Sequence, residues 1–155
     1  MSLIQLIQIN AENYREALEL SVHPDQGRFV ASATPPVAMA LAKAYIRPEN
    51  RVVEPYGICH HDELVGFLNL HYTPESQDDY WIFHFFIDKR FQRSGFGAQA
   101  LHEVIKKMKQ QHPQTRRLRL TVHPENLSAQ SFYKKFGFKD DGILTYGDPT
   151  YSYFF

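Results

Sequence analysis

The chain has 155 residues, enough for one domain with a sizeable core. Its 17 Lys+Arg balance 17 Asp+Glu, so net charge is zero with neutral His, and nothing in it points to nucleic acid or an acidic membrane surface as the main partner. A single cysteine, Cys59, excludes an intrachain disulfide and fits a reducing cytoplasm.

Met1 to Asn10 lacks a basic start and alternates apolar with polar residues, so a signal peptide is not expected there, and Leu3 to Ile9 predicts a first strand. Asn10 or Asn13 can cap a helix running to about Leu20, with Tyr14, Ala17 and Leu18 facing inward. His23-Pro24-Asp25 breaks that helix, and Gln26 to Ser32 reads as irregular. Pro35-Pro36 starts a short helix, Val37 to Ala44, because proline is accepted in a first helical turn. The longest purely apolar run, near Val37 to Ala42, is far too short to span a bilayer. Val52 to His60 and Leu64 to Tyr72 read as two strands joined at His61-Asp62-Glu63, followed by a polar loop from Thr73 to Asp79. Tyr80 to Ile87 is a buried central strand. Ala98, Leu101, Ile105 and Met108 give the next helix, to about Gln111, an apolar stripe. Arg117 to His123 is a strand and Ser128 to Phe136 a helix. Phe138 to Leu144 and Tyr151 to Phe155 close the sheet around a turn at Gly147-Asp148-Pro149. No internal repeat or low-complexity linker divides residues 1–155, so one domain is expected.

Between the central strand and the long helix lies Gln92-Arg93-Ser94-Gly95-Phe96-Gly97. A glycine loop at a helix start offers free N–H groups and the positive end of the helix dipole, which suits an anion. Gly95 and Gly97 would let the backbone approach a phosphate with no Cβ in the way. The Gly-Lys-Ser/Thr ending of a nucleotide loop is absent, and so is the three-glycine dinucleotide pattern. Read alone, the loop is equally a plain strand-to-helix turn.

A second motif lies downstream. Leu118 to Asn126 reads Leu-Arg-Leu-Thr-Val-His-Pro-Glu-Asn, and Tyr133 follows Asn126 by seven residues, before Gly137-Phe138. Seven residues are two helical turns at about 3.6 residues each, so the two side chains can share a face. Together, Gln-x-x-Gly-x-Gly after an apolar strand and this Asn…Tyr…Gly-Phe pattern resemble the two signatures of the GNAT N-acetyltransferases. The resemblance covers the whole chain. It implies an α/β (α+β) fold with one mixed, mostly antiparallel central sheet, helices on both faces, and the order β-α-α-β-β-β-α-β-α-β-β. It implies acetyl-CoA (CoA) as cosubstrate, with the diphosphate on Arg93, Ser94, Gly95, Phe96, Gly97 and Ala98 after Gln92, and pantetheine along the backbone of Phe85 and Ile87. It further implies that Asn126 contacts the cofactor and that Tyr133 is the general acid for the leaving thiolate. A small-molecule amine is the implied partner, without nucleic acid or membrane, and a homodimer is the quaternary expectation.

The general base stays unassigned. Members using a direct base often carry Glu or His two or four residues before the Phe85 position, where this chain has Phe83 and Trp81. Strand alternation would turn His84 to the opposite face, as a core histidine. His71 and His123 are weaker candidates, and a water chain to solvent is as plausible as any of them. The eight histidines form no ligand cluster, so no metal is expected. Lys106-Lys107-Lys109 and Arg116-Arg117-Arg119 read as a solvated helix face and a strand edge.

The acceptor is the least constrained part. Gln26 to Ser32, Asp62 to Phe67, Trp81-Ile82 and Phe86 to Gln92 are most similar to the bacterial spermine/spermidine (diamine) acetyltransferase branch. That implies acidic groups for a polycation, with Glu54, Glu75, Asp78 and Asp79 as candidates. Other amines (a protein N-terminus, an amino acid, an aminoglycoside) and a non-catalytic CoA-binding module stay open.

Overall fold

The computed structural model describes residues 3–30 and 35–155. Seven strands form one sheet in the order β1-β2-β3-β4-β5-β7-β6. They are β1 (Ile4–Gln8), β2 (Val52–His60), β3 (Glu63–Tyr72), β4 (Tyr80–Ile87), β5 (Arg117–Thr121), β6 (Lys139–Thr145) and β7 (Asp148–Phe154). Every neighbouring pair is antiparallel except β4 with β5. This is the mixed, mostly antiparallel sheet that the element order predicts.

Helices cover both faces. On one face lie α4 (Phe96–Gln111) and α5 (Leu127–Phe136); on the other lie α1 (Tyr14–Leu18) and α3 (Pro36–Ile46). Ala100, Leu101, Val104, Ile105 and Met108 of α4 are buried against Ile58, Leu68, Leu70 and Leu118 of the sheet. Burying side chains such as Leu101 and Met108 contributes roughly 1.5–3 kcal/mol each. The stripe starts at Ala100, because the helix begins at Phe96, two residues earlier than its apolar period suggests; Ala98 is only half-buried. Against the second face pack Ala17, Leu20, Val37 and Ala40.

Local signals were misleading at three places. Tyr14, expected inside, is 37% exposed, because α1 is little more than one turn and only its Ala17 is buried on the sheet. Gln26 to Ser32, expected to be irregular, contains a short helix α2 (Gly27–Val30) after a 3₁₀ turn at Pro24–Gln26; Ala31 and Ser32 lie outside the described residues, as do Met1 and Ser2 of the expected leaderless start. The last turn is Tyr146-Gly147 rather than Gly147-Asp148-Pro149, and both of its residues have positive φ, 53° and 84°. Two left-handed residues suit the twist of a two-residue hairpin. His61-Asp62, with φ of 49° and 65°, joins β2 to β3 in the same way.

Two irregularities of β4 prepare a site. First, Phe83 lies opposite Asn69 and Phe86 opposite Phe67, so Leu68 alone faces both His84 and Phe85. This is a β-bulge, and His84 sits in it at φ 55°. A left-handed conformation is uncommon for a residue other than glycine, and such strain gathers at functional positions. Second, β4 and β5 share a single register pair, Trp81 with Arg119, and then diverge. Beyond Trp81 the edge of β4 toward β5 is left open.

Candidate active site

The divergence of β4 from β5 opens a cavity of about 600 Å³. Ile82 to Phe85 of β4 form one wall, and Leu120 to Val122 of β5 and its extension form the other. Asn126, Ala129 and Tyr133 of α5 close one side.

The bulge corrects the expected alternation of β4. Ile82 and Phe85 pack in the same core cluster although they are three residues apart. Trp81 and Phe83 are stacked, their rings 7° from parallel. Phe85 thus turns toward Tyr133, ring centres 6.4 Å apart, while Phe83 meets His71 at 4.6 Å. His84, expected to face away as a core residue, lines the same cavity. Both of its ring nitrogens lack a hydrogen-bond partner among the described residues.

Tyr133 is half-buried and lines the cavity, and its hydroxyl makes no hydrogen bond among the described residues. Burial pushes its phenol well above the usual tyrosine value, which keeps it protonated. Asn126 is the N-cap of α5: its Oδ1 accepts from the Ala129 N–H at 3.2 Å. Its amide NH₂ group remains for the cavity.

The expected pyrophosphate loop lies at the end of β4. Gly95 caps α4 at φ 79°, a conformation that a side chain would strain. The Gln99 N–H is the first to reach a carbonyl, that of Gly95, which leaves the N–H groups of Phe96, Gly97 and Ala98 for an anion. Arg93, at φ 64°, and Ser94 are exposed on the same loop. A Cβ at Gly97 would stand 3.4 Å from the Phe132 ring and 3.9 Å from Ile87, both ordinary contact distances. Gln92 is a latch: its carboxamide donates to the Ile87 carbonyl at 2.9 Å and exchanges hydrogen bonds with Gln26 at 3.0 and 3.1 Å. These residues fit a diphosphate ester with an extended arm: orphan N–H groups at the helix start and an open strand edge leading to Tyr133.

The other end of the cavity carries residues that the sequence did not single out. Lys43 of α3, Glu49, Arg51, Tyr146 and Asp148 line it. Arg51 pairs with Glu49 at 2.8 Å and Asp79 at 2.9 Å, and Tyr146 donates a hydrogen bond to Glu49. The guanidinium groups of Arg51 and Arg119 stand over the Trp81 ring at 5.5 and 4.6 Å. Asp148 has no side-chain partner among the described residues.

None of the four acids expected to receive a polycation lines this cavity. Glu54 accepts hydrogen bonds from Tyr56 and Tyr72, both at 2.8 Å. Burial alone would raise the Asp79 carboxyl, but hydrogen bonds from Arg51, Thr73 and Trp81 outweigh it and hold the group below its ordinary value. Asp78 is exposed and faces Arg117 at 3.6 Å, and Glu75 sits in an exposed turn at φ 65°. Among the histidines, His71 and His123 do line the cavity. His123 spends Nδ1 on the Glu125 N–H at 3.1 Å. Burial, reinforced by the charge of Lys43, pushes His71 down to about 3 and His84 to about 4, so both are neutral near pH 7.

Comparison with known proteins identifies the family and the fold. A model of the Acetyltransferase (GNAT) family matches residues 10–138. The spermine/spermidine N(1)-acetyltransferase of Bacillus subtilis is 28% identical over 148 residues, 92% of each chain. The fold is similar to that of an acetyltransferase from Salmonella typhimurium that modifies an N-terminal serine of a 50S ribosomal subunit protein, with TM-score 0.75, 15% identity and coverage of 100% and 96%. It is also similar to spermidine N-acetyltransferase from Vibrio cholerae in complex with CoA and spermine, with TM-score 0.71, 15% identity and coverage of 98% and 94%.

Proposed function

The chain belongs to the acetyltransferase (GNAT) family, and on that premise we propose that it acetylates a small polyamine or diamine, such as spermidine or spermine, by direct transfer with Tyr133 as general acid. It is an N-acetyltransferase, and acetyl-CoA is its cosubstrate. What supports the polyamine is the relative that matches 92% of the chain. What supports Tyr133 is its unpartnered hydroxyl in the cavity between β4 and β5. Arg93 to Ala98 hold the diphosphate, the backbone of Phe85 and Ile87 guides pantetheine, and Asn126 turns its amide to the cofactor. In this reading the chain works as one acetyltransferase unit of the cytoplasm.

The chemistry follows from those positions. A neutral amine nitrogen bonds the thioester carbonyl carbon, and the C–S bond breaks. Sulfur leaves with the Tyr133 proton, and the nitrogen returns a proton through water to the phenolate. The Tyr133 proton is in place near neutral pH, as a general acid requires.

A second reading has one observation in its favour. Lys43 has no ion pair among the described residues, which suits an acceptor carrying a carboxylate beside its amine. Thiol release from acetyl-CoA with spermidine, spermine, propylamine, an amino acid and an N-terminal peptide separates the two. Turnover with the peptide or the amino acid alone would replace the polyamine, and silence with every amine would leave a CoA-binding module.

A further inference from the structure

The acceptor end of the cavity has several cations and, among the described residues, one unpaired carboxylate, that of Asp148 on the β6–β7 hairpin. Arg28 is tied to Glu125 at 3.1 Å, and Arg51 to Glu49 and Asp79. Lys43 differs from both. Its Nζ lies 5.8 Å from the centre of the Phe83 ring, beside the His84 bulge, and has no ion pair among the described residues. Phe83 is two residues from Phe85, the residue that meets Tyr133.

The groups facing Lys43 come from four directions. His71 faces it from β3 and His84 from β4, both uncharged near pH 7. Glu49, just beyond α3, is the acid felt most by Lys43, and it is already engaged by Arg51 and Tyr146. Asp148 and Tyr146 face the cavity from the β6–β7 hairpin. Burial lowers the Lys43 ammonium from its ordinary 10.5, and the charge of Glu49 opposes that shift.

An acceptor amine arrives as an ammonium, with a pKa near about 10.4 for a lysine-like group. Attack needs the lone pair. A carboxylate base would remove the proton; of the cavity's acids, Glu49 is paired with Arg51, and Asp148 comes from the β6–β7 hairpin rather than from β4. A fixed like charge does the same work by disfavouring the charged form. Resting on the reading that the acceptor is a primary amine, we propose that Lys43 is a positioning residue for acetyl transfer: its ammonium, held over Phe83, makes the reacting nitrogen shed its proton to solvent and stand as a neutral amine before Tyr133. The free carboxylate of Asp148 then receives the second ammonium of a diamine. The cavity thereby selects which end of the acceptor is charged and which reacts.

The test is the pH dependence of kcat, which reports groups in the enzyme–substrate complex. It is recorded at saturating acceptor by thiol release, for wild type, Lys43→Met and Lys43→Arg, with the panel amine of highest turnover. Removing one like charge should move the rising limb alkaline by about one pH unit, so kcat falls about 10-fold at pH 7 and recovers at the alkaline plateau. Lys43→Arg should keep the wild-type limb. A Lys43→Met limb that does not move overturns the proposal, whether or not the rate falls, and so does a raised acceptor KM with an unmoved limb, which would mark an anion site. Lys43→Gln, with thermal unfolding of each variant, serves if Lys43→Met fails to fold. A wild type silent with polyamines but active with another amine overturns the polyamine alone, because the limb is then read on that amine. Silence with all amines overturns both.

Discussion

The Tyr133 ring lies 6.4 Å from that of Phe85, centre to centre, across the mouth that opens where β4 leaves β5. The phenol comes from α5 and the aromatic floor from a strand bent by its bulge. Two elements that share no register are brought together at one point, and the leaving thiolate is assigned to that point. Tyr133→Phe keeps the ring packing and removes the proton. General acid catalysis is typically worth about 10²–10⁴-fold, so kcat should fall by that range while calorimetric affinity for acetyl-CoA changes little.

Gly97→Asp should weaken acetyl-CoA binding by at least ~10-fold, because a carboxylate at the α4 N-terminus competes with the diphosphate for the same dipole and N–H groups. Its Cβ would meet Phe132 at 3.4 Å, an accommodating contact with a ring edge. Thermal unfolding should therefore shift little. Calorimetric titration giving wild-type affinity in a folded variant would remove the loop from the binding site.

Asp148→Asn should raise KM for spermidine roughly 10-fold and leave propylamine unaffected, since a monoamine has no second cation to place. Asp78→Asn should change neither, because Asp78 faces Arg117 outside the cavity. Added salt should raise the wild-type KM for spermidine through screening. Steady-state kinetics with the two amines is the measurement; a matched rise for both amines would deny Asp148 this role.

His84 offers a stability prediction with a definite sign. Burial holds its folded value near about 4, below the ordinary 6.5. The unfolded chain binds the extra proton first, so the neutral ring's contribution is complete above pH 6.5 and is lost as pH falls toward 4. His71 acts in the same direction, down to about 3. Denaturant midpoints measured from pH 7 to pH 4 should fall, and His84→Gln should flatten that slope. An unchanged slope in the variant would show that His84 does not carry it.

The elements of the proposed cofactor half were legible in the chain because their signals are local. The loop at Gln92 to Gly97 and the spacing from Asn126 to Tyr133 each lie within one turn or helix. The acceptor half was not, because its residues meet only through the fold. Tyr146 reaches Glu49 across 97 residues, and Arg51 reaches Asp79 across 28. The acids expected to serve a polycation were chosen by type and loop position, and each was claimed by a neighbour or left outside the cavity. The bulge at His84 left no trace either: no glycine marks it, and an apolar run such as Trp81 to Ile87 reads the same with or without it.

A sheet parted in its middle has interior borders as well as outer ones. Past Trp81, β4 presents main-chain donors and acceptors to a slot that no strand among the described residues fills. Any extended segment of suitable width can be recruited there, a stray polypeptide included, which is the hazard that exposed sheet borders carry. A pantetheine arm lying along β4 would act as a plug. On the proposed reading, the protein is least finished at the place where its donor would lie. Saturation with acetyl-CoA should protect it against self-association as well as raise its melting temperature, by the mass-action law for any ligand that favours the folded state.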